Sequence, residues 1–174
     1  MRKKVVLLIV MVLLFAWAVM YAVSDKTLAG SAAEPELVDY TFTLYYGDRE
    51  LVDLITEERT VAVKDGTNPV KVALEQLTLA PQNKAAVVLM PLETEVLDVT
   101  VEGDVVTINF NDCIVKNFYG GSASEAMLIT SIVNTVTDIE GYDGRKVQFV
   151  IDGEIVESIG GHIGTEDPFE RNDE

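Results

Sequence analysis

Tyr40, Phe42, Leu44 and Tyr46 alternate with Thr41, Thr43 and Tyr45, the two-residue period of a strand with one buried face. Gly47-Asp48 closes that strand. Leu51 to Ile55 reads as a short apolar patch in a connecting loop, and Arg59 to Lys64 as a second, shorter strand with Val61 and Val63 on one side. The period then changes. Asp65-Gly66-Thr67-Asn68-Pro69 is a helix start, with Asn68 as N-cap and Pro69 at the first helical position, where a missing N–H costs nothing. Val70, Ala73, Leu74 and Leu77 follow at i, i+3, i+4 and i+7, one inward face, and Pro81 closes the helix. Gln82 to Met90 carries no clear period and reads as loop or a short helical turn.

Pro91-Leu92-Glu93-Thr94 leads into a hairpin: Leu97, Val99 and Val101 alternate with polar residues, Gly103-Asp104 turns, and Val106, Ile108 and Phe110 continue. After Gly120-Gly121, the run Ser122-Ala123-Ser124-Glu125 has the form of a capping box, Ser122 as N-cap and Glu125 at the third helical position. Leu128, Ile132, Val136 and Ile139 then mark one helical face, and Gly141 is the stop. Arg145 to Ile151 is a strand. Asp152-Gly153 signals a type I′ turn, which allows Glu154 to Ile159 to fold back as a short last strand. From Gly160 the chain is glycine-rich and then acidic, and its last residues are expected to fray.

Alternating strands with one buried face, and helices with one apolar stripe, predict a two-layer α+β domain over residues 39–167. Two helices pack on one face of a small, mostly antiparallel or mixed sheet, and residues 168–174 form an acidic disordered tail. No internal repeat is present.

The N-terminus adds a compartment. Arg2, Lys3 and Lys4 precede an unbroken apolar run from Val5 to Val23, at about 1.5 Å per residue roughly 28 Å long, close to the thickness of a hydrocarbon core. Residues 1–23 are therefore expected to anchor the chain in a cell membrane as one transmembrane helix. The basic end stays cytoplasmic and the C-terminal domain lies outside. A cleaved secretory signal, giving a secreted protein, is the alternative: Ser31-Ala32-Ala33 offers small residues, but the run exceeds the usual h-region of about 7–15 residues. Residues 24–38, small and polar with Pro35, read as a linker. All 29 acidic residues follow the run, with ten of the 13 basic ones, a net charge of −19. The charges are spread along the chain, which serves solubility and excludes nucleic acid as a partner.

Candidate chemistry is sparse. The single cysteine, Cys113, excludes an internal disulfide, and no cysteine follows the apolar run as a lipoprotein anchor requires. At the end of a strand pattern, Cys113 is expected to behave as a small buried hydrophobe. The single histidine, His162, sits in a glycine-rich turn without a GxSxG, HExxH or CxxC partner motif. One His and one Cys cannot make a zinc site, and Asp138, Glu140 and Asp143 lack the calcium-loop spacing and read as a solvated helix end. Gly120-Gly121-Ser122 lacks a P-loop lysine and reads as a flexible loop before a cap. Paired carboxylates for glycoside hydrolysis are too numerous on so acidic a surface to carry weight. Tyr45, Tyr46, Phe118 and Tyr119 are candidate contact aromatics, Tyr46 and Phe118 as easily core. No catalytic, cofactor-binding or metal residue is assigned, and no cofactor.

The string GGSASEAMLITSIVNTVTDIEGYDGRKVQFVIDGE resembles the core of the GerMN domain family of sporulation and germination proteins. The likeness runs from about Tyr40 to Asp167 and takes in Leu44-Tyr45-Tyr46, Glu57-Glu58-Arg59, Ala73-Leu74-Glu75-Gln76-Leu77 and Pro91 to Leu97. It implies an extracytoplasmic, membrane-attached, non-enzymatic protein whose fold is similar to the ring-building motif, two helices on a three-stranded sheet. The chain departs from the family's namesake in having one copy where that has two, and a peptide anchor where that has a lipidated cysteine. The expected function is assembly or scaffolding of a cell-envelope complex, through self-association or envelope partners, in sporulation or germination. A module binding wall glycan or peptide is the alternative, and an envelope hydrolase is less favoured.

Overall fold

The structure, a computed structural model, describes Met11, residues 13–21 and residues 36–171. It divides into two compact units, one up to Glu36 and one from Leu37 onward. In the first, residues 13–21 form a helix, α1. Among the described residues no helix is long and apolar enough to cross a membrane. The rest of the expected Val5–Val23 span, and the linker up to residue 35, lie outside the described residues.

The second unit contains β1 (Leu37–Asp48), β2 (Leu54–Lys64), α2 (Pro69–Leu77), β3 (Ala86–Val87), β4 (Val96–Glu102), β5 (Val105–Phe110), α3 (Cys113–Lys116), α4 (Ser122–Thr137) and β6 (Lys146–Ile151). The mixed α+β class is as the periods predict, but the strands make two sheets where one was expected. The first has order β2-β1-β3 and is antiparallel; the second has order β4-β5-β6, with β4 and β5 antiparallel and β5 and β6 parallel.

The reason lies in α4. Leu128, Ile132, Val136 and Ile139 are buried as the stripe predicts, yet Met127, Ile129 and Val133, off that stripe, are buried too. A helix apolar on most of its circumference needs more than one packing surface. α4 meets β1 of one sheet, β6 of the other, and α2. It also closes a backbone edge. β3 pairs only with Gly47 and Asp48 of β1, and the Tyr45 peptide groups bond to α4 instead. Tyr45 N–H donates to Thr135 Oγ1 at 3.2 Å, and the Ser131 hydroxyl donates to the Tyr45 carbonyl. Two hydroxyls one helical turn apart thus satisfy groups that burial would leave costly.

α2 starts as predicted: Asn68 Oδ1 accepts from Val70 N–H at 3.0 Å and Lys71 N–H at 3.3 Å, with Pro69 first in the helix. Asn68→Ala should cost about 1 kcal/mol, measured as a shift of the urea midpoint. β2 begins earlier than its pattern suggests, since Glu57-Glu58-Arg59 hides a strand whose inward charges are paired. Arg59 bridges Glu57 at 2.5 Å and donates to the Gln76 carbonyl at the end of α2, while Gln82 N–H donates to Glu57. Burial opposes the charge on Glu57, but the Arg59 bond and the backbone N–H groups outweigh it and hold the carboxyl below its ordinary value. A folded-state pKa lowered in this way stabilises the fold above the unfolded value of about 4.3 and loses that contribution as pH falls through the folded value. Acid titration of stability should therefore be flatter in Glu57→Gln than in the parent.

The β4–β5 hairpin forms, with a register shift between Val96 and Asp98. This bulge changes which residues face inward: Val96 is buried, whereas Leu97 and Val101 are 44% and 42% exposed on an edge strand. Asp152 and Gly153 both take positive φ, 50° and 88°, in the expected tight turn, and Ile151 and Glu154 exchange backbone bonds. The return is a single bridge, however, with no strand from Glu154 to Ile159. The chain instead runs on as a strap. Val147 and Phe169 exchange two 2.8 Å backbone bonds on the free edge of β6. The Phe169 ring lies 5.3 Å from that of Phe149. Arg171 bonds Asp138 at 2.9 Å and the Tyr45 hydroxyl at 3.0 Å. The stretch expected to fray is therefore seated as far as Arg171, and residues 172–174 lie outside the described residues.

Candidate interaction surface

The strap is fixed from inside the domain. Ser122 is not the N-cap of α4: Gly121 holds that position, with no side-chain capping bond, and Ser122 is the first helical residue. Glu125, the expected partner in a capping box, turns into the interior and is fully buried. Its Oε1 accepts from Ile159 N–H at 3.1 Å and Gly160 N–H at 2.7 Å, and its Oε2 from His162 N–H at 2.9 Å. Three donors from a distant loop satisfy a buried carboxylate better than one N–H at its own helix end. Gly160 is required by proximity, since a Cβ there would lie 2.4 Å from Phe118 Cε1 and 3.0 Å from Glu125 Oε2.

Phe118, wedged against Gly160, positions the next residue. Tyr119 points into solvent at 98% exposure, and Leu92 opposite is 81% exposed. Asn117 Nδ2 donates to the Leu92 carbonyl at 2.8 Å and ties the two segments together. Beside them lies an open cleft of about 420 Å³, lined by Leu51, Val87 to Leu92, Asn117, Phe118, Tyr119 and Ser124. Large apolar side chains held in water around a concave surface are the feature of an interaction site.

The four candidate aromatics separate. Tyr46 is core, its hydroxyl donating to the carbonyls of Gln76 and Leu79 at 2.9 and 3.2 Å. Phe118 packs against the core. Tyr45 is half-buried beneath the Arg171 guanidinium, 5.5 Å from its ring centre. Tyr119 alone of the four is presented to solvent. Leu92 and Leu51, which the periods do not single out as surface residues, complete its surroundings.

The remaining candidates are not brought together. His162 is exposed and enters the structure through its backbone N–H. Cys113 opens the unpredicted short helix α3 and is half-exposed instead of buried. Partial burial and the nearby carboxylates of Asp112 and Glu93 push its thiol up from the ordinary value, which disfavours the reactive thiolate. Asp138 pairs with Arg171. Among the described residues no three metal-ligating side chains cluster.

The fold is a small α+β module of two three-stranded sheets packed with α2 and α4. Its family follows from comparison: the family model Germane, described as sporulation and spore germination, matches residues 43–157, and the chain belongs to that family. A search of curated protein sequences finds no match. Among solved structures, the tandem GerMN domains of the sporulation protein GerM from Bacillus subtilis superpose with TM-score 0.59 at 15% identity, over 82% of this chain and 50% of that one. The chain thus spans half of the tandem protein. The first GerMN domain of the same protein gives TM-score 0.58 at 17% identity, over 78% of this chain and 99% of that one. A candidate lipoprotein from Clostridium perfringens gives 0.53 at 19%, over 80% and 93%. At these identities the likeness establishes a shared GerMN fold.

Proposed function

We propose that this protein is a non-enzymatic module, anchored by Val5–Val23 with its domain outside the membrane, that assembles a cell-envelope complex in sporulation or germination. The observation that carries this reading is the cleft lined by Tyr119 and Leu92, two large side chains that are 98% and 81% exposed to water. Family membership supports the process, and the apolar run behind Arg2, Lys3 and Lys4 supports the anchor. Burying Tyr119 and Leu92 against a partner would release the apolar surface that now faces water, at about 25 cal/mol per Å². Tyr119→Ala with Leu92→Ala should abolish cross-linked complexes in the native envelope while leaving the melting temperature unchanged. Undiminished cross-linking in that variant would count against the cleft as the contact surface.

The free Tyr119 face, beside the polar groups of Asn117 and Ser124, also favours a second reading, binding of a wall glycan by stacking of a sugar ring. Retention of the parent protein on purified wall material, lost in Tyr119→Ala, would favour it over assembly.

A further inference from the structure

A second candidate surface lies along the first half of β1. In a strand, peptide groups two residues apart share one edge. On the edge of β1 that faces away from β2, Gly47 pairs with Val87 of β3, and Tyr45 bonds to Thr135 and Ser131 of α4. Thr43, Thr41 and Asp39 come next on that edge, since the pairing with β2 runs without a register shift. Among the described residues no hydrogen bond reaches their outward peptide groups. Beside them is a slot of about 410 Å³, lined by Asp39 to Phe42, Pro69, Ile139 and Glu140. Sheet edges are ordinarily blunted by bulges, prolines or lysines. β4, an edge of the second sheet, has such a register shift, and its Val99 N–H donates to Asp98 Oδ1 at 2.9 Å. From Leu37 to Thr43, β1 has no shift, no proline and no lysine.

We propose that this edge receives a short extended segment of a partner protein, with alternating apolar and basic side chains, as an added strand. The backbone selects the extended form. Free N–H and C=O groups that recur about every 7 Å are matched by another strand, whereas those of a helix are bonded within the helix. α4 sets the length: it occupies the edge at Tyr45 and leaves Leu37 to Thr43, about 20 Å. Alternation follows from the two faces of β1, with Tyr40 and Phe42 on the inner one and Asp39 and Thr41 on the outer. Charge selects a basic segment. Asp39 and Glu140 are exposed and enter no ion pair among the described residues, and no lysine or arginine lines the slot. Lys64, opposite Leu37 on β2, lies outside the lining. A second copy fits poorly. Its β1 brings another Asp39 and no lysine or arginine, and its β2, 11 residues long, exceeds the free stretch.

The slot shares no lining residue with the cleft beside Tyr119, so the two are tested separately. The test is titration of the full chain in detergent micelles, followed by amide chemical shifts and hydrogen exchange. The probe is a blocked hexapeptide of alternating lysine and valine; its counterpart alternates glutamate and valine. The lysine peptide should give saturable shifts and slowed exchange at Asp39, Thr41 and Thr43, unchanged in Tyr119→Ala. The glutamate peptide should bind at least about tenfold more weakly. Asp39→Lys with Glu140→Lys, at exposed positions, should leave the melting temperature unchanged and reverse that preference. Two further probes are the lysine peptide N-methylated at its lysines or at its valines. Only one edge of an added strand bonds to β1, so one of them should lose at least about tenfold in affinity and the other should not. Thr41→Pro, which removes a donor from the free edge and none from the β2 ladder, should abolish binding. The proposal is overturned by an absence of saturable shifts, by equal binding of the lysine and glutamate peptides, or by equal binding of the two methylated probes. Tighter occupation of the slot by N-acetylglucosamine, or concentration-dependent shifts at the same amides without peptide, which would mean a second copy, would also overturn it.

Discussion

Glu125→Gln should destabilise the domain by about 3 kcal/mol, with loss of hydrogen-exchange protection at Ile159, Gly160 and His162. The carboxylate has no contact with water and serves three backbone donors of the strap. Glutamine keeps one acceptor oxygen and turns an NH₂ group toward donors, so at least one N–H is left buried and unpaired. A hydrogen bond to a charged group contributes about 1.5–3 kcal/mol, and an orphaned buried donor costs a further 1–3. Little of this can relax away, because Gly160 is packed against Phe118 and Glu125 with no space for even a Cβ. Urea denaturation of the detergent-solubilised full chain gives the number. A loss below about 1 kcal/mol, with protection intact, would mean that the strap is held by its other contacts.

Phe149→Ala should cost about 3–5 kcal/mol, the usual range for deleting a fully buried aromatic ring. Phe149 stands on β6 with no exposure, its ring centre 6.2 Å from that of Phe110 on β5 and 5.3 Å from that of Phe169 in the strap. Its removal opens a cavity that borders the second sheet and the strap together. Phe169→Ala, at a half-buried position, should cost less. Equal costs for the two would show that the sheet collapses around the vacancy while the strap does not.

Much of the architecture is legible in the sequence because it is written locally. The Asn68-Pro69 start of α2, the alternation of Val106, Ile108 and Phe110, the stripe of α4 and the Asp152-Gly153 turn each depend on residues a few positions apart. What escapes a local reading depends on distant partners. Ser122-x-x-Glu125 satisfies the capping-box pattern, but the donors that Glu125 serves are 34, 35 and 37 residues further on. The stretch Ile159 to Gly164 reads locally only as a glycine-rich turn, whereas its N–H groups are the ones being bound. The division into two sheets was signalled by Met127, Ile129 and Val133 outside the stripe, which required a second packing surface for α4. Inversion of the β4 pattern at Leu97 follows from a bulge that alternation alone does not reveal. The candidate surface was half legible: Tyr119 is named by its residue type, but only tertiary packing separates it from Tyr45, Tyr46 and Phe118.

The cleft beside Tyr119 is proposed to meet another protein of the envelope. Replacing Tyr119 in the full-length chain by a photo-reactive phenylalanine analogue and irradiating intact cells tests this most directly. A discrete covalent adduct is expected, with an envelope protein or a second copy of the chain, and it should be lost when Leu92→Asp is added. Recovery of monomer alone, from folded protein at its normal cellular level and at every stage of growth and sporulation, would contradict it.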